Sequence, residues 1–151
     1  MLQNMIDPNA KISDAELELF AQKIGLHLPR AYVDFLLHTN GGQPVPSAFS
    51  IIGFPDNPDG VVQAFFGLNA TIGTEDLEKN IAELDRRIPN GVFPIASTEG
   101  DDFLILDLRK HGAPVLFWDR RPFWGSSVWN EADLYLVAHD FESFLNALHN
   151  R

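Results

Sequence analysis

The stretch from residue 26 to residue 42 constrains the fold most strongly, because it reads as one short helix with both ends marked. Pro29 fits the first helical position, where its missing N–H costs nothing and its fixed φ suits the turn. The Asn-Gly-Gly sequence at 40–42 supplies residues that tolerate the left-handed conformation in which helices commonly end. Between these ends, apolar residues spaced i, i+3 and i+4 predict one core-facing stripe. The residues of this stripe are Tyr32, Phe35 and Leu36.

A second helix is predicted to precede this one, so that the two form a helical hairpin. Ser13 and Glu16 have the spacing of a capping box, in which each side chain bonds the other residue's backbone N–H. Gly25 marks the end of this helix. Its core-facing residues are Leu17, Phe20, Ala21 and Ile24.

Two further helices are marked by polar residues at their ends. Thr74 is the predicted N-cap of a middle helix, whose last turn holds Arg86 and Arg87, where the helix dipole favours cations. Asp140 is the predicted N-cap of a closing helix. The apolar seam of the middle helix is Leu77, Ile81, Leu84 and Ile88, and that of the closing helix is Phe141, Phe144, Leu145 and Leu148.

Runs rich in β-branched and aromatic residues separate these helices and predict strands. They lie at 48–54, 61–66, 92–96, 103–108, 115–118 and 134–138, with turns at 55–60 and 111–114. The order of elements predicts one α+β domain over residues 1–151, with a mainly antiparallel sheet flanked by the N-terminal helical pair, the middle helix and the C-terminal helix. We expect the core to contain Tyr32, Phe35, Leu77, Ile81, Phe103, Ile105, Phe141, Phe144 and Leu145.

Composition restricts the classes of function. The chain has 151 residues, a formal net charge of −10 and no cysteine, which excludes a disulfide scaffold and a thiolate zinc site. The spread of acidic residues disfavours nucleic acid and anionic lipid as partners and speeds encounter with a basic protein, although solubility alone also explains it. The N-terminus lacks a signal pattern, and no apolar run approaches the ~20 residues of a membrane span. We therefore expect a cytoplasmic protein without a membrane partner.

The order of several motifs resembles the SUKH superfamily. The helix that begins after Leu28 carries Pro29, Tyr32, a Phe-Leu pair and Asn-Gly-Gly in the order typical of that superfamily. Similar segments follow in order at 93–96, 100–107, 115–119 and 137–145, so that the resemblance covers most of residues 12–148. The segment at 122–129 resembles no motif of the superfamily.

The SUKH superfamily includes bacterial toxin-immunity proteins and fungal cell-wall regulators of the Smi/Knr type. The resemblance therefore implies a non-catalytic domain that binds and neutralises a cognate toxin of the nuclease or deaminase class. Two alternatives stay open: a regulatory scaffold, as in the fungal relatives, and a small hydrolase built on scattered carboxylates and histidines. The matching residues are mostly helix ends and core positions, so they support the fold without locating a binding surface.

Chemistry-bearing patterns are absent from the sequence. The five histidines, His27, His38, His111, His139 and His149, show no zinc-ligand spacing, and no serine lies in a GxSxG elbow. The Asn-Gly-Gly sequence follows a helix instead of preceding one, which favours a helix end over a phosphate loop. We predict no catalytic residue, no metal and no cofactor.

The candidate partner-binding residues are acidic and aromatic. Glu99, Asp101 and Asp102 form the densest carboxylate cluster, and they suit either a solvated turn between strands or a patch that recognises a basic partner. Asp119 is a further acidic candidate. Trp124 and Trp129 lie in a loop-like segment, where tryptophan suits either a core or a binding hot spot. The nearby Trp118 is predicted to belong to the core. The sequence thus predicts a protein partner with a basic surface, not a nucleic acid.

Overall fold

Four helices and eight strands form within the residues that the computed structural model describes, 1–54, 59–120 and 129–151. The helices are α1 (Asp14–Ile24), α2 (Arg30–His38), α3 (Leu77–Glu83) and α4 (Phe141–Ala147). The strands are β1 (Asn4–Ile6), β2 (Gln43–Val45), β3 (Ala48–Ser50), β4 (Asp59–Phe65), β5 (Val92–Thr98), β6 (Phe103–Asp107), β7 (Val115–Trp118) and β8 (Leu134–Ala138).

Six strands form one antiparallel sheet whose spatial order, β3-β4-β5-β6-β7-β8, is also their order in the chain. This arrangement confirms the predicted α+β class, and five of these strands lie within residues 47–119 as expected. The sequence did not predict the second sheet, in which β1 pairs with β2. Each of these two strands has only three residues, which is too short to show a hydrophobic period.

The two ends of the large sheet are covered by the chain itself. Beyond β3, the Ile52 N–H donates to the Leu136 carbonyl of β8 over 2.9 Å, so the sheet curls until its ends approach each other. Ala48 and His149 exchange two backbone hydrogen bonds of 3.0 Å, which pairs β3 with the chain after α4. Exposed strand edges invite pairing with other chains, and these contacts reduce that exposure.

Aromatic residues from the helices and from one face of the sheet fill the main core. The ring of Phe35 lies edge-on to Phe65 and Phe141, at centroid distances of 4.8 and 5.1 Å, and Tyr32 lies 5.1 Å from Phe141. Among the predicted core residues, Tyr32, Phe35, Leu77, Ile105, Phe141 and Phe144 are buried, whereas Ile81, Phe103 and Leu145 are partly buried and pack against the core. Trp118 is fully buried, which confirms its predicted core position.

The helix ends are partly as predicted. The capping box of Ser13 and Glu16 is present, and Gly25 ends α1 with a φ of 70°. Pro29, in contrast, is the N-cap of α2 and not its first helical residue. Its ψ of 144° is extended, and its carbonyl accepts hydrogen bonds from the N–H groups of Tyr32 and Val33.

The middle helix begins later and ends earlier than the sequence predicts. Asp76, not Thr74, is its N-cap: the Asp76 carboxylate accepts the N–H of Lys79 and also the N–H of Ala70. Thr74 lies in a short 3₁₀ turn, Gly73–Glu75. The helix stops at Glu83, so Arg86 and Arg87 lie beyond it and not in its last turn.

Asn40 explains why the Asn-Gly-Gly sequence follows α2. Its side chain is fully buried, and its Nδ2 donates to the carbonyls of Ala10 at 2.8 Å and Leu68 at 2.9 Å, while its Oδ1 accepts the Leu68 N–H at 2.8 Å. Asn40 and Gly41 both have positive φ, and a Cβ on Gly41 would lie 2.8 Å from the Phe65 carbonyl oxygen. The motif therefore joins the N-terminal segment to β4 by close backbone approach, which is an architectural role.

Candidate functional site

The face of the sheet that points away from the aromatic core is also apolar. Side chains alternate along the strands, so Leu116 and Trp118 of β7 and Leu134 and Leu136 of β8 lie on this other side, which we call the second face. Leu84, just beyond α3, covers part of it. Leu134 and Leu136 are only partly buried, so the second face is incompletely covered by the described residues.

Two tryptophans meet on the second face. Trp118 is fully buried, and Trp129 packs edge-to-face against it at a centroid distance of 5.2 Å. Trp129 keeps part of its surface exposed. Trp124, the other aromatic candidate, lies outside the described residues. Of the two predicted binding aromatics, the structure thus describes Trp129, whose side chain packs against a fully buried neighbour.

Arg109 holds the outer side of Trp129. Its guanidinium lies 5.9 Å from the Trp129 ring centroid. Its Nε and Nη2 donate to the two carboxylate oxygens of Asp107 at 2.9 and 3.0 Å. Nη2 also lies 2.9 Å from the Glu131 carboxylate. These carboxylates raise the pKa of Arg109. Asp107 is fully buried, so its charge depends on this partner. Sequence reasoning missed the network, whose visible signal was an aspartate at the end of an apolar strand with arginine two residues later.

Arg120 lies at the opposite end of the second face. Its guanidinium is 4.3 Å from the Phe103 ring centroid and 5.5 Å from that of Trp118, a cation–π arrangement. Burial lowers the pKa of Arg120, while the nearby Asp102 and Asp101 carboxylates act in the opposite direction. Arginine therefore borders the tryptophan pair at both ends.

The predicted acidic cluster is divided by the turn between β5 and β6. Glu99 and Asp101 are exposed, and Asp101 occupies the turn with a φ of 63°. The carboxylate of Glu99 lies 3.3 Å from the Arg151 guanidinium. These two residues fit the predicted solvated turn between strands, and a role in recognising a partner stays a prediction for them.

Asp102 and Asp119, the other two acidic candidates, are both buried. The Asp102 Oδ1 accepts the Arg120 N–H at 2.8 Å, and its own N–H donates to the Thr98 hydroxyl at 3.2 Å. The Asp119 N–H donates to the Asp133 carbonyl at 3.0 Å. Of the two alternatives for Asp102, the solvated turn does not fit its burial, because its carboxylate fixes the start of the chain after β7. A role in recognising a partner stays a prediction for Asp102 and Asp119.

Two grooves border these elements. One, of about 600 Å³, lies between the end of α1 and α3, and a 2.9 Å ion pair joins Lys23 to Glu78 beside it. The other, of about 870 Å³, lies over the second face, where Leu134 and Leu136 line it together with His111. Within the described ranges, no group of three histidine, aspartate or glutamate side chains is placed to hold a metal ion.

The fold and this site define a class: a small α+β domain that presents an apolar, arginine-bordered sheet face and a well-packed core. The comparison with known families identifies it more closely. Residues 11–147 match the SMI1/KNR4 family (SUKH-1), and the chain belongs to this family. The family membership inferred from the motif order is therefore confirmed.

One curated relative shows how far the similarity extends. The "SPbeta prophage-derived uncharacterized protein YokK" of Bacillus subtilis (strain 168) is 28% identical over 88 residues. The match covers 58% of this chain and 41% of the relative, so it spans less than half of that protein. In the part of the chain that the structure describes, no helix has the length and apolar character needed to cross a bilayer.

Proposed function

We propose that this protein is a non-catalytic binding domain that neutralises a cognate toxin, acting in the cytoplasm as an immunity protein. The observation that carries this proposal is the second face, where a partly exposed Trp129 is held between Trp118 and Arg109. Membership in the SMI1/KNR4 family supports a protein-interaction role. The proposed toxin belongs to the nuclease or deaminase class.

The second face has the chemistry of a binding hot spot. Tryptophan and arginine dominate such sites because they bury a large area and lose little freedom when they are already held. Trp129 is already packed on Trp118, and the partly buried Leu134 and Leu136 extend the apolar area beside it. We include Trp124 in the same surface on its sequence position alone.

Charge favours a basic partner. The chain has a net charge of −10, and Glu99 and Asp101 are exposed on the β5–β6 turn, close in the chain to strands that form the second face. Enzymes that act on nucleic acids present basic surfaces to their substrates. An acidic inhibitor would meet such a surface quickly, and it would itself be repelled by nucleic acid.

The absence of catalysis is part of the proposal. Three buried carboxylates already have structural bonds: Asp107 binds Arg109, Asp102 accepts the Arg120 N–H, and Asp76 caps α3. A carboxylate engaged in this way is poorly placed to act as an acid or base. Assays of purified protein for nuclease, deaminase and hydrolase turnover test this directly, and turnover abolished by substitution of one Asp, Glu or His would contradict it.

Growth rescue tests the whole proposal. A toxin gene of the nuclease or deaminase class is sought next to this gene, and its product is expressed with the wild-type protein, with Trp129→Ala and with Leu19→Ala. Leu19 is a matched control, because it is a large apolar residue that is 67% exposed and lies on α1, outside the second face. We expect the wild type and Leu19→Ala to restore growth and Trp129→Ala to fail, with all three proteins folded by circular dichroism. Rescue by all three would remove the second face from the proposal, and rescue by none would remove the immunity function.

A further inference from the structure

A third groove, of about 280 Å³, lies between α1 and α2, outside the second face. Its floor is apolar and its rim is acidic. The floor is formed by Leu17, Ala21, Leu26, Leu28 and Val33, and the rim carboxylates are Asp14 and Glu18. Leu17 and Leu28 are buried, so the floor is fixed by the main core.

The two rim carboxylates lie one helical turn apart on the same edge of the groove, and both residues are exposed. Neither forms an ion pair with any residue that the structure describes. The like charges of this i and i+4 pair repel each other, and a cation between them would relieve that repulsion, while the position of Asp14 in the first turn of α1 is itself favoured by the helix dipole. On the facing helix, Arg30 and Asp34 form a 3.1 Å ion pair and offset each other, and the remaining ionisable lining residue is His27.

We propose that this groove binds an arginine side chain from a basic segment of a protein partner. An arginine lays its apolar stem along a hydrophobic surface while its charged head stays at the edge. The Ala21 and Val33 floor receives the stem, and the head reaches the Asp14 and Glu18 carboxylates. A planar guanidinium can bond two carboxylates at once, which favours arginine over lysine. This site is separate from the Trp129 surface and does not depend on it.

Nuclear magnetic resonance titration tests the proposal with a defined probe, the acetylated and amidated tripeptide Leu-Arg-Leu. The matched probe replaces arginine with citrulline, which keeps the shape and removes the charge. We expect the arginine peptide to shift backbone amides of residues 14–21 and 26–33, and the citrulline peptide to bind more weakly. A double variant, Asp14→Asn with Glu18→Gln, should raise the dissociation constant about fivefold, as expected for the loss of two exposed ion pairs.

Two further proteins keep the result interpretable. Asp59→Asn with Glu142→Gln removes two exposed charges elsewhere and should change the dissociation constant less than about twofold, since it alters only the general field. Ala21→Leu fills the floor without changing charge and should also weaken binding. Equal effects of the two double variants, or unaltered affinity in Ala21→Leu with a native spectrum, would overturn the groove proposal. This titration needs no toxin, so its result tests the groove alone. The growth-rescue result with Trp129→Ala tests the proposed immunity function independently.

Discussion

Replacing Asn40 with alanine is the sharpest test of how this fold is held together. The substitution removes three hydrogen bonds of a fully buried side chain, two donated to the carbonyls of Ala10 and Leu68 and one accepted from the Leu68 N–H. A buried hydrogen bond contributes about 1 kcal/mol net, which gives ~3 kcal/mol for the three. Asn40 also has a φ of 47°, and alanine tolerates that conformation less well than asparagine, by about 1 kcal/mol. We therefore expect Asn40→Ala to lower the free energy of unfolding by ~4 kcal/mol.

Asn69→Ala provides the control for that measurement. Asn69 has a similar φ of 56°, but it is exposed, and its side-chain bond to Glu16 is a long 3.4 Å. Its substitution should cost about 1 kcal/mol or less, since it reports the backbone conformation without buried hydrogen bonds. Urea denaturation of both variants and the wild type gives the comparison. If the two variants differ by less than ~1 kcal/mol, the buried hydrogen bonds of Asn40 do not hold the fold as argued.

Further predictions concern the core, one ionisable group and the binding surface. The ring centroid of Phe144 lies 6.0 Å from those of Phe49 and Phe65, and Phe144→Ala should lower the free energy of unfolding by roughly 3–5 kcal/mol. A loss below about 1 kcal/mol in denaturant melts would place α4 outside the core. Burial and the nearby Asp119 carboxylate raise the pKa of Asp133, so its charged form costs stability as pH rises through that pKa. Asp133→Asn should therefore stabilise the protein at pH 7, by less than about 1 kcal/mol since the group is partly exposed, and the gain should shrink in melts at lower pH. Against the cognate partner, surface-plasmon measurements should show an association rate that falls as salt is raised and a faster dissociation rate for Trp129→Ala; a salt-independent association rate would exclude steering by acidic residues.

Local sequence signals predicted the parts of the fold that depend on nearby residues. The capping box at Ser13, the left-handed Gly25 and the strands β7 and β8 all follow from spacing within a few residues. Local preference leaves both Thr74 and Asp76 as possible N-caps of the middle helix, and the additional bond that Asp76 accepts from the Ala70 N–H in the preceding loop favours Asp76.

The candidate site shows the same difference between features set by nearby residues and features set by distant ones. Glu99, Asp101 and Asp102 are similar in sequence, yet the turn exposes the first two and buries the third beneath Arg120. A carboxylate's role depends on which backbone N–H or cation reaches it, and for Asp102 that group is 18 residues away in the chain. The same holds for Trp129, whose support comes from Trp118 and Arg109 on other elements. Composition shows that acidic and aromatic residues are abundant in this protein, but the pairing of the strands decides which of them are exposed and which are buried against their neighbours.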